Sequence, residues 1–281
     1  VKRLLKEGHY VIGIDNLLTG DRNKCPNEPN FRFVCHDVIN PIHFDELDQI
    51  YHLACPASPP AYKLDPIHTA KTCFMGTLNM LELAKKTGAR MLFTSTSEVY
   101  GDPLRHPQKE DYWGNVNPIG ERSCYDEGKR VAETLVMDHN KMHGTNTAIV
   151  RIFNTYGPGM NPDDGRVMTN FIMQTLRGEP MTIYGSGKQT RCFQYVDDTI
   201  EGLIRMMDSG LRGPINIGNP NEYTIKQLAK DHVELIFVFD MECWLHLDFK
   251  THEFKSGDLD DMIELLSAEA MLEFCEEVFA A

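Results

Sequence analysis

Short apolar runs alternate with longer amphipathic stretches along this chain. Runs rich in β-branched and aromatic residues, which are typical of strands, cover residues 11–14, 31–35, 49–53, 90–94, 148–153 and 214–217. Apolar positions at helical spacing lie between most of these runs, as in residues 67–87 and 126–143. Strands that alternate with helices form parallel βαβ units. The pattern therefore predicts an α/β fold with a doubly wound, Rossmann-like sheet.

Composition and charge change near residue 230. The 281 residues carry a net charge of −13. Residues 231–281 hold 14 acidic side chains, two lysines and no proline, whereas the first 230 residues are nearly neutral. This shift predicts a boundary near residue 230. No basic stripe is present, which argues against a nucleic-acid partner. No apolar stretch approaches the roughly 18 residues that cross a bilayer, so we predict no membrane segment.

Acidic residues follow the first predicted strands. Asp15 ends the first strand, Asp37 follows the second, and the segment HLACPAS (52–58) follows the third. Ligands of doubly wound sheets bind at the carboxyl ends of the strands, where a carboxylate can accept hydrogen bonds from ribose hydroxyls. Each aspartate alone is equally well explained as a turn former. Together they predict a dinucleotide site.

The chain begins inside a helix. A dinucleotide-binding unit needs a strand, then a glycine-rich turn, then a helix whose first amides hold the pyrophosphate. Residues 1–9 match the second half of such a helix, and no later glycine lies between a first strand and this helix. We therefore expect that this chain lacks the first strand and the glycine-rich loop.

The segment SCYDEGKRVAE (123–133) carries the strongest chemical signal. Tyr125 and Lys129 are four residues apart and share one face of a predicted helix. A neighbouring ammonium favours the phenolate, so we expect the pKa of Tyr125 to fall from about 10 and the residue to act as a base. Tyr184 and Lys188 have the same spacing but lie in YGSGK, where two glycines disfavour a helix.

A second group follows the strand at 90–94. The sequence TSTSEVYG (94–101) places the hydroxyls of Thr96 and Ser97 and the carboxylate of Glu98 at a strand end. Such groups can hold a sugar and transfer protons. The alternative is a Ser/Thr-rich turn capped by Gly101, and the nearby Tyr125 pair weakens that alternative.

Histidines, methionines and cysteines carry weaker signals. His139 and His143 share a helix face, but no acidic or third ligand accompanies them in the sequence, so we predict a solvated pair and no metal site. The apolar residues of FIMQTL (171–176) and LIRMM (203–207) are predicted to be core. The eight cysteines are at least ten residues apart, which predicts reduced packing thiols.

Five motifs together resemble the extended short-chain dehydrogenase/reductase family. They are TSTSEVYG, YDEGKRVAE, RIFNTYGPGM, DGRVMTNF and YGSGKQTRCFQYVDD, and the resemblance covers about residues 1–230. The pair Ser97-Glu98 is similar to the pair found at this position in the branch that decarboxylates UDP-glucuronate. The related 4,6-dehydratases usually carry Asp-Glu at this position, and the 4-epimerases usually lack the glutamate.

The resemblance implies NAD-dependent decarboxylation of UDP-glucuronate to UDP-xylose through a 4-keto sugar. It implies that Tyr125 is the base, that Lys129 holds the cofactor ribose and the charge of the tyrosine, and that Thr96, Ser97 and Glu98 orient the substrate and manage protons. NAD would contact Asp15, Asn16, Asp37, Val38, Leu53, Thr72, Ser95, Tyr125 and Lys129. The substrate would contact Pro56, Ala57, Ser58, Lys71, Asn154, Arg166, Tyr184 and Arg191.

The resemblance also divides the chain. Residues 1–153 would form an NAD-binding domain that is short at its N-terminus, and residues 154–230 a substrate-binding lobe with some interleaved Rossmann elements. Residues 231–281 would be a divergent acidic tail, which lacks the family's Arg-Lys-Pro-Asp motif and contains an amphipathic helix. A homodimer in the cytoplasm is implied, or in the Golgi lumen where an N-terminal anchor has been lost.

Two alternatives to the decarboxylase remain open. The chain could be another nucleotide-sugar enzyme, such as a dehydratase or an epimerase. It could also be a catalytically impaired member of the family that acts as a partner subunit of an intact relative, which the two divergent ends favour.

Overall fold

The computed structural model describes residues 1–230, which fall into two compact units. Residues 1–155 and 193–219 form the first unit, and residues 156–192 and 220–230 are the described part of the second. The predicted acidic tail and its amphipathic helix lie outside the described residues.

The secondary structure alternates as the apolar pattern predicts. The strands are β1 (Val11–Asp15), β2 (Phe31–Cys35), β3 (Gln49–His52), β4 (Arg90–Thr96), β5 (Thr147–Ile152), β6 (Thr155–Tyr156), β7 (Thr190–Cys192), β8 (Gln194–Tyr195), β9 (Ile215–Ile217) and β10 (Glu222–Thr224). The α-helices are α1 (Lys2–Lys6), α2 (Pro59–Leu64), α3 (Pro66–Lys71), α4 (Thr77–Thr87), α5 (Ser123–His143), α6 (Val167–Leu176) and α7 (Val196–Asp208).

Parallel strands form the framework of the first unit. β1 pairs with β2, and a four-stranded sheet has the order β3-β4-β5-β9, with every pairing parallel. Alternate side chains of β4 point to opposite faces of this sheet. Met91 and Phe93 pack with residues of α4 and α5, whereas Leu92 packs with Met206 and Met207 of α7. Helices therefore cover both faces, and the predicted doubly wound α/β class is confirmed.

The helix predicted over residues 67–87 is confirmed, with one irregular segment. It runs from α3 through a π-helical turn at Thr72–Gly76 into α4, and the residues at both junctions keep helical backbone angles. Two close approaches accompany the turn. A Cβ on Gly76 would lie 2.8 Å from Cγ2 of Val38, and a Cβ on Gly128 would lie 2.9 Å from Cβ of Cys73. The turn thus brings Cys73 against the part of α5 that carries Tyr125, and such π-turns are frequent at functional sites.

The second unit contains α6 and a short antiparallel pair. β7 pairs with β10, in a register that places Arg191 opposite Tyr223. Phe171 on α6 is buried, in agreement with its predicted core position. Among the described helices of either unit, none has the length and apolar character that crossing a bilayer requires.

Candidate functional site

A cavity of about 1140 Å³ opens in the first unit. Its wall includes residues of β1 and β3 and the segments that follow β1, β2 and β3. Six of the nine residues predicted to contact NAD line it, namely Asp15, Asn16, Asp37, Val38, Leu53 and Thr72. The strand-end positions that the sequence singled out therefore share one cavity.

Asp37 is a carboxylate of this cavity with three polar contacts. Its Oδ2 lies 2.7 Å from Nε2 of His68 and accepts a hydrogen bond from Nδ2 of Asn16 at 3.1 Å. Its Oδ1 accepts a hydrogen bond from the amide of Ile39 at 3.1 Å. Partial burial alone would raise the pKa of Asp37, but these hydrogen bonds bring its pKa below the ordinary value. Asp37 is therefore an ionised acceptor at neutral pH.

Tyr125 and Lys129 lie one turn apart on α5, and both are buried. Nζ of Lys129 donates a hydrogen bond to the carbonyl oxygen of Thr94 at 2.8 Å and lies 5.9 Å from the ring centroid of Tyr125. The phenol of Tyr125 is hydrogen-bonded to the side chain of Thr96. The helix predicted for these residues is confirmed by α5. It places both side chains beside the end of β4.

The pKa of Tyr125 differs in direction from the sequence expectation. Burial is the largest influence and raises this pKa above its ordinary value, and the charge of a Cys55 thiolate acts in the same direction. The hydrogen bond from Thr96 lowers it only in part. The expected lowering by Lys129 is thus wrong, because desolvation of the buried phenolate is the largest influence on this pKa.

Thr96, Ser97 and Glu98 occupy the turn that leaves β4. A short 3₁₀ helix covers Ser97–Tyr100, and Oγ1 of Thr96 accepts a hydrogen bond from the amide of Glu98 at 3.2 Å. The carboxylate of Glu98 accepts a hydrogen bond from Nη2 of Arg122 at 2.6 Å. Gly101 ends the turn with a φ of +66°. The turn capped by Gly101 therefore carries the hydroxyls and the carboxylate that the sequence singled out, and the two interpretations describe the same segment.

Three residues near Tyr125 were missed by the sequence reasoning. Tyr62 stacks on Tyr125 with ring centroids 5.3 Å apart, and Arg122 pairs with Glu98. Oδ1 of Asp126 is buried without a hydrogen-bond partner, and burial followed by the charge of Glu98 raises the pKa of Asp126 to about 6. Asp126 and Arg122 could have been found from their adjacency to Tyr125. Nothing local in SPPAYKLDP marks Tyr62.

Cys55 and Cys73 form a thiol pair beside this group. Their sulfur atoms are 3.3 Å apart, and Cys55 also lines the cavity. The hydrogen bond from Cys73 and the charges of Lys129 and His68 lower the pKa of Cys55, whereas the pKa of Cys73 is raised. The six described cysteines are free thiols, as expected.

The other predicted residues of the first unit lie in loops, in β4 or at the end of α3. Pro56, Ala57 and Ser58 link β3 to α2, and Ser58 is buried. Lys71 ends α3 and is exposed, and Asn154 follows β5. Oγ of Ser95 donates a hydrogen bond to Oε1 of Glu133 at 2.6 Å, so this hydroxyl is already engaged.

The three remaining predicted substrate residues lie in the second unit. Arg166 pairs with the carboxylate of Asp164. Tyr184 is 73% exposed, and Nη1 of Arg191 donates a hydrogen bond to the carbonyl oxygen of Thr190 at 2.8 Å. Residues 184–188 form no helix, as the two glycines predict.

The prediction that no acidic ligand accompanies His139 and His143 is wrong. Glu82 on α4 lies with them, and ligand atoms of the three side chains are all within 4.8 Å of one another. His139 is also 7% exposed, so the pair is not simply solvated. A contact between residues 57 positions apart in the chain has no local sequence signal.

Comparisons with known proteins agree with these features. The chain is 60% identical over 239 residues to UDP-glucuronic acid decarboxylase 1 of Arabidopsis thaliana, a match that covers 84% of this chain and 55% of the relative. It is 54% identical over 231 residues to UDP-glucuronic acid decarboxylase 1 of Xenopus tropicalis, covering 81% and 55%. The chain thus spans about half the length of these curated relatives.

A solved structure and a family profile match as well. UDP-glucuronic acid 4-epimerase from Bacillus cereus, in complex with UDP-glucuronic acid and NAD, is 28% identical with a TM-score of 0.71, covering 83% of this chain and 78% of that chain. The profile described as the NAD dependent epimerase/dehydratase family matches residues 1–218. This chain belongs to the NAD dependent epimerase/dehydratase family.

Proposed function

We propose that this protein catalyses the NAD-dependent decarboxylation of UDP-glucuronate to UDP-xylose. The observation that carries the proposal is the grouping of Thr96, Glu98 and Lys129 around the buried phenol of Tyr125. The 60% identity to a protein named UDP-glucuronic acid decarboxylase supports the choice of substrate.

The residues of the first unit suit a dinucleotide. Among the carboxylates of the cavity, Asp15 and Asp37 would accept hydrogen bonds from ribose hydroxyls, and the side chains of Val38 and Leu53 would make apolar contacts. Mixed lining of this kind is typical of cofactor sites. Ser95, Tyr125 and Lys129 would complete the site at the end of β4. When bound, NAD would accept the hydride from C4 of the sugar and return it after decarboxylation.

Tyr125 would begin the reaction by taking the proton of the sugar 4-hydroxyl. Burial raises the pKa of its phenol, so the ammonium of Lys129 alone does not ionise Tyr125, and the positive charge of bound oxidised NAD would have to add to it. The hydroxyl of Thr96 holds the phenol in place. The stacked ring of Tyr62 fixes the plane of Tyr125. The proton acceptor is therefore oriented before the substrate arrives.

The carboxylate of the substrate would then leave as carbon dioxide. A 4-keto sugar acid is a β-keto acid, so the electrons of the breaking carbon–carbon bond pass to the 4-carbonyl, and the ring carbon later takes up a proton. Glu98 is suited to manage that proton, because Arg122 and the turn after Thr96 fix its position. Ser97 would contact the sugar from the same turn.

The nucleotide part of the substrate would contact the remaining predicted residues. Arginine binds phosphate oxygens through its planar fork, so Arg166 and Arg191 are proposed to hold the diphosphate. The other residues proposed to contact the sugar or uridine are Pro56, Ala57, Ser58, Lys71, Asn154 and Tyr184.

Product analysis tests the proposed reaction. The purified chain is incubated with NAD and UDP-glucuronate, and the nucleotide sugars are separated and weighed by mass spectrometry. We expect UDP-xylose. A hexuronate product instead would support 4-epimerisation, a candidate that the similarity to the UDP-glucuronic acid 4-epimerase of Bacillus cereus favours. Absence of turnover together with absence of NAD binding in calorimetry would indicate a non-catalytic partner subunit.

We also propose that two copies pair through the helices around Tyr125. Phe74 and Met75 of the π-helical turn and Val131 of α5 expose 41%, 43% and 38% of their surface. The turn and α5 pack together, so these apolar side chains offer a surface to a second copy. Light scattering should give a dimer mass, and Val131→Glu should reduce it to a monomer mass.

The cytoplasm stays the predicted compartment, which cell fractionation tests.

A further inference from the structure

A cluster of three potential metal ligands lies at the far end of α5 from Tyr125. His139 and His143 are one turn apart on this helix, and α4 supplies Glu82. Nε2 of His139 lies 3.1 Å from Oε1 of Glu82, and the two imidazole rings meet edge to face with centroids 4.7 Å apart. Ligand atoms of all three side chains lie within 4.8 Å of one another.

The buried member of the cluster is held by a second residue. Nδ1 of His139 lies 2.9 Å from Oγ1 of Thr145, and both residues are buried. When Nδ1–H donates to this hydroxyl, the lone pair of Nε2 faces the carboxylate of Glu82. A histidine that ligates a metal usually has such a partner on its other nitrogen, which fixes the ring and its tautomer. In this tautomer a cation could take the place of the proton between Nε2 and the carboxylate.

We propose that Glu82, His139 and His143 bind one divalent transition-metal ion of the Zn²⁺ class. Two imidazoles and one carboxylate match the donors that Zn²⁺ accepts, with solvent as a fourth ligand. Tetrahedral bonds of about 2.1 Å place donor atoms roughly 3.4 Å apart, so the most widely separated donors must approach by up to about 1.4 Å. Glu82 and His143 are exposed, and rotation of their side chains allows this contraction. The bound ion joins α4 to α5.

A neighbouring lysine allows a substitution that should strengthen metal binding. Nζ of Lys85 lies 3.9 Å from Oε2 of Glu82 and competes with a cation for this carboxylate. Replacing Lys85 with Gln removes that competitor and should tighten metal binding. If the cluster only held the two helices together through ion pairs, Lys85→Gln would not be expected to tighten metal binding.

Cobalt titration of the full chain tests the site. Co²⁺ is added in calorimetry and absorption experiments to the parent protein and to variants Glu82→Gln and His143→Ala. Both substitutions are at exposed positions, and far-UV circular dichroism checks that the fold is kept. We expect one equivalent with affinity reduced at least about tenfold in each variant, since loss of even an outer-shell partner costs about 10- to 100-fold. Thr145→Val should give a loss in that range.

His43→Ala is the matched control, because His43 is exposed and outside the cluster. This control should bind Co²⁺ like the parent. Equal affinity in the parent and in His143→Ala would overturn the proposal. A thiolate-to-cobalt charge-transfer band would also overturn it, because that band would assign the bound ion to cysteines.

Discussion

Lys129 and Thr94 join α5 to β4 through one buried hydrogen bond, from Nζ of the lysine to the carbonyl oxygen of the threonine at 2.8 Å. The ammonium also lies 4.9 Å from the ring centroid of Phe93, on the same strand. This bond positions a positive charge near Tyr125, and because its acceptor is a neutral carbonyl, the charge is not neutralised by a carboxylate. The charge therefore remains available to a phenolate formed during the reaction.

Lys129→Met should abolish most of the activity while keeping the fold. Methionine fills a similar volume but supplies neither the charge nor the donor, so the phenolate of Tyr125 loses its neighbouring cation. We expect kcat to fall by roughly 10²-fold or more. Steady-state assays of UDP-xylose formation measure this. Lys86→Met, at an exposed position of α4, is the control, and an equal loss in that variant would argue against a specific role.

Asp126 should make stability depend on pH. Burial and the charge of Glu98 raise its pKa from 3.8 to about 6, so the folded state binds the proton more tightly than the unfolded state. The free energy of unfolding then falls as pH rises between these values. Asp126→Asn should stabilise the protein by roughly 1 to 3 kcal/mol above pH 7. This gain should shrink as pH falls below 6 in thermal denaturation, and an identical gain at pH 5 and pH 8 would contradict the account.

Cys73 should control the reactivity of Cys55. The Cys73 hydrogen bond is the largest influence that lowers the pKa of Cys55. Cys73→Ala should therefore raise the pKa of Cys55 and slow its alkylation by iodoacetamide at pH 7. Peptide mass spectrometry follows the modified fraction over time. Cys124→Ala serves as the control, and faster alkylation in Cys73→Ala than in the parent would refute the assignment.

Glu133 should be critical for the first unit. Its carboxylate accepts two hydrogen bonds from Arg151, at 2.9 and 2.7 Å, and one from Ser95, and the pair is largely buried. Glu133→Gln leaves the guanidinium without its counter-charge, which costs about 3 to 5 kcal/mol. Urea denaturation measures this loss. Glu201→Gln, which removes an exposed partner of Arg205, should leave the midpoint unchanged.

Local patterns were enough to predict the framework. The runs at residues 11–14, 31–35 and 49–53 correspond to β1, β2 and β3, with ends that differ by at most one residue. The helical spacing around Tyr125 corresponds to α5. These features are fixed by residues close together in the chain, so periodicity and strand-end position reveal them.

Long-range contacts and burial were beyond this reasoning. The stacking of Tyr62 on Tyr125 joins residues 63 positions apart, and the Glu82 contact with His139 depends on how α4 packs on α5. The predicted shift in the pKa of Tyr125 had the wrong direction, because the sequence shows the nearby lysine but not the burial of the phenol. The π-helical turn at Thr72–Gly76 within the predicted helix likewise has no periodic signal.

Release of labelled carbon dioxide tests the central claim most directly. UDP-glucuronate carrying ¹³C in its carboxyl group is incubated with NAD and either the parent protein or Tyr125→Phe. Phenylalanine keeps the stacked ring but has no hydroxyl to accept the 4-hydroxyl proton. We predict ¹³CO₂ from the parent and a release lower by about 10²- to 10⁴-fold from Tyr125→Phe. Equal release from both proteins would contradict the role of Tyr125.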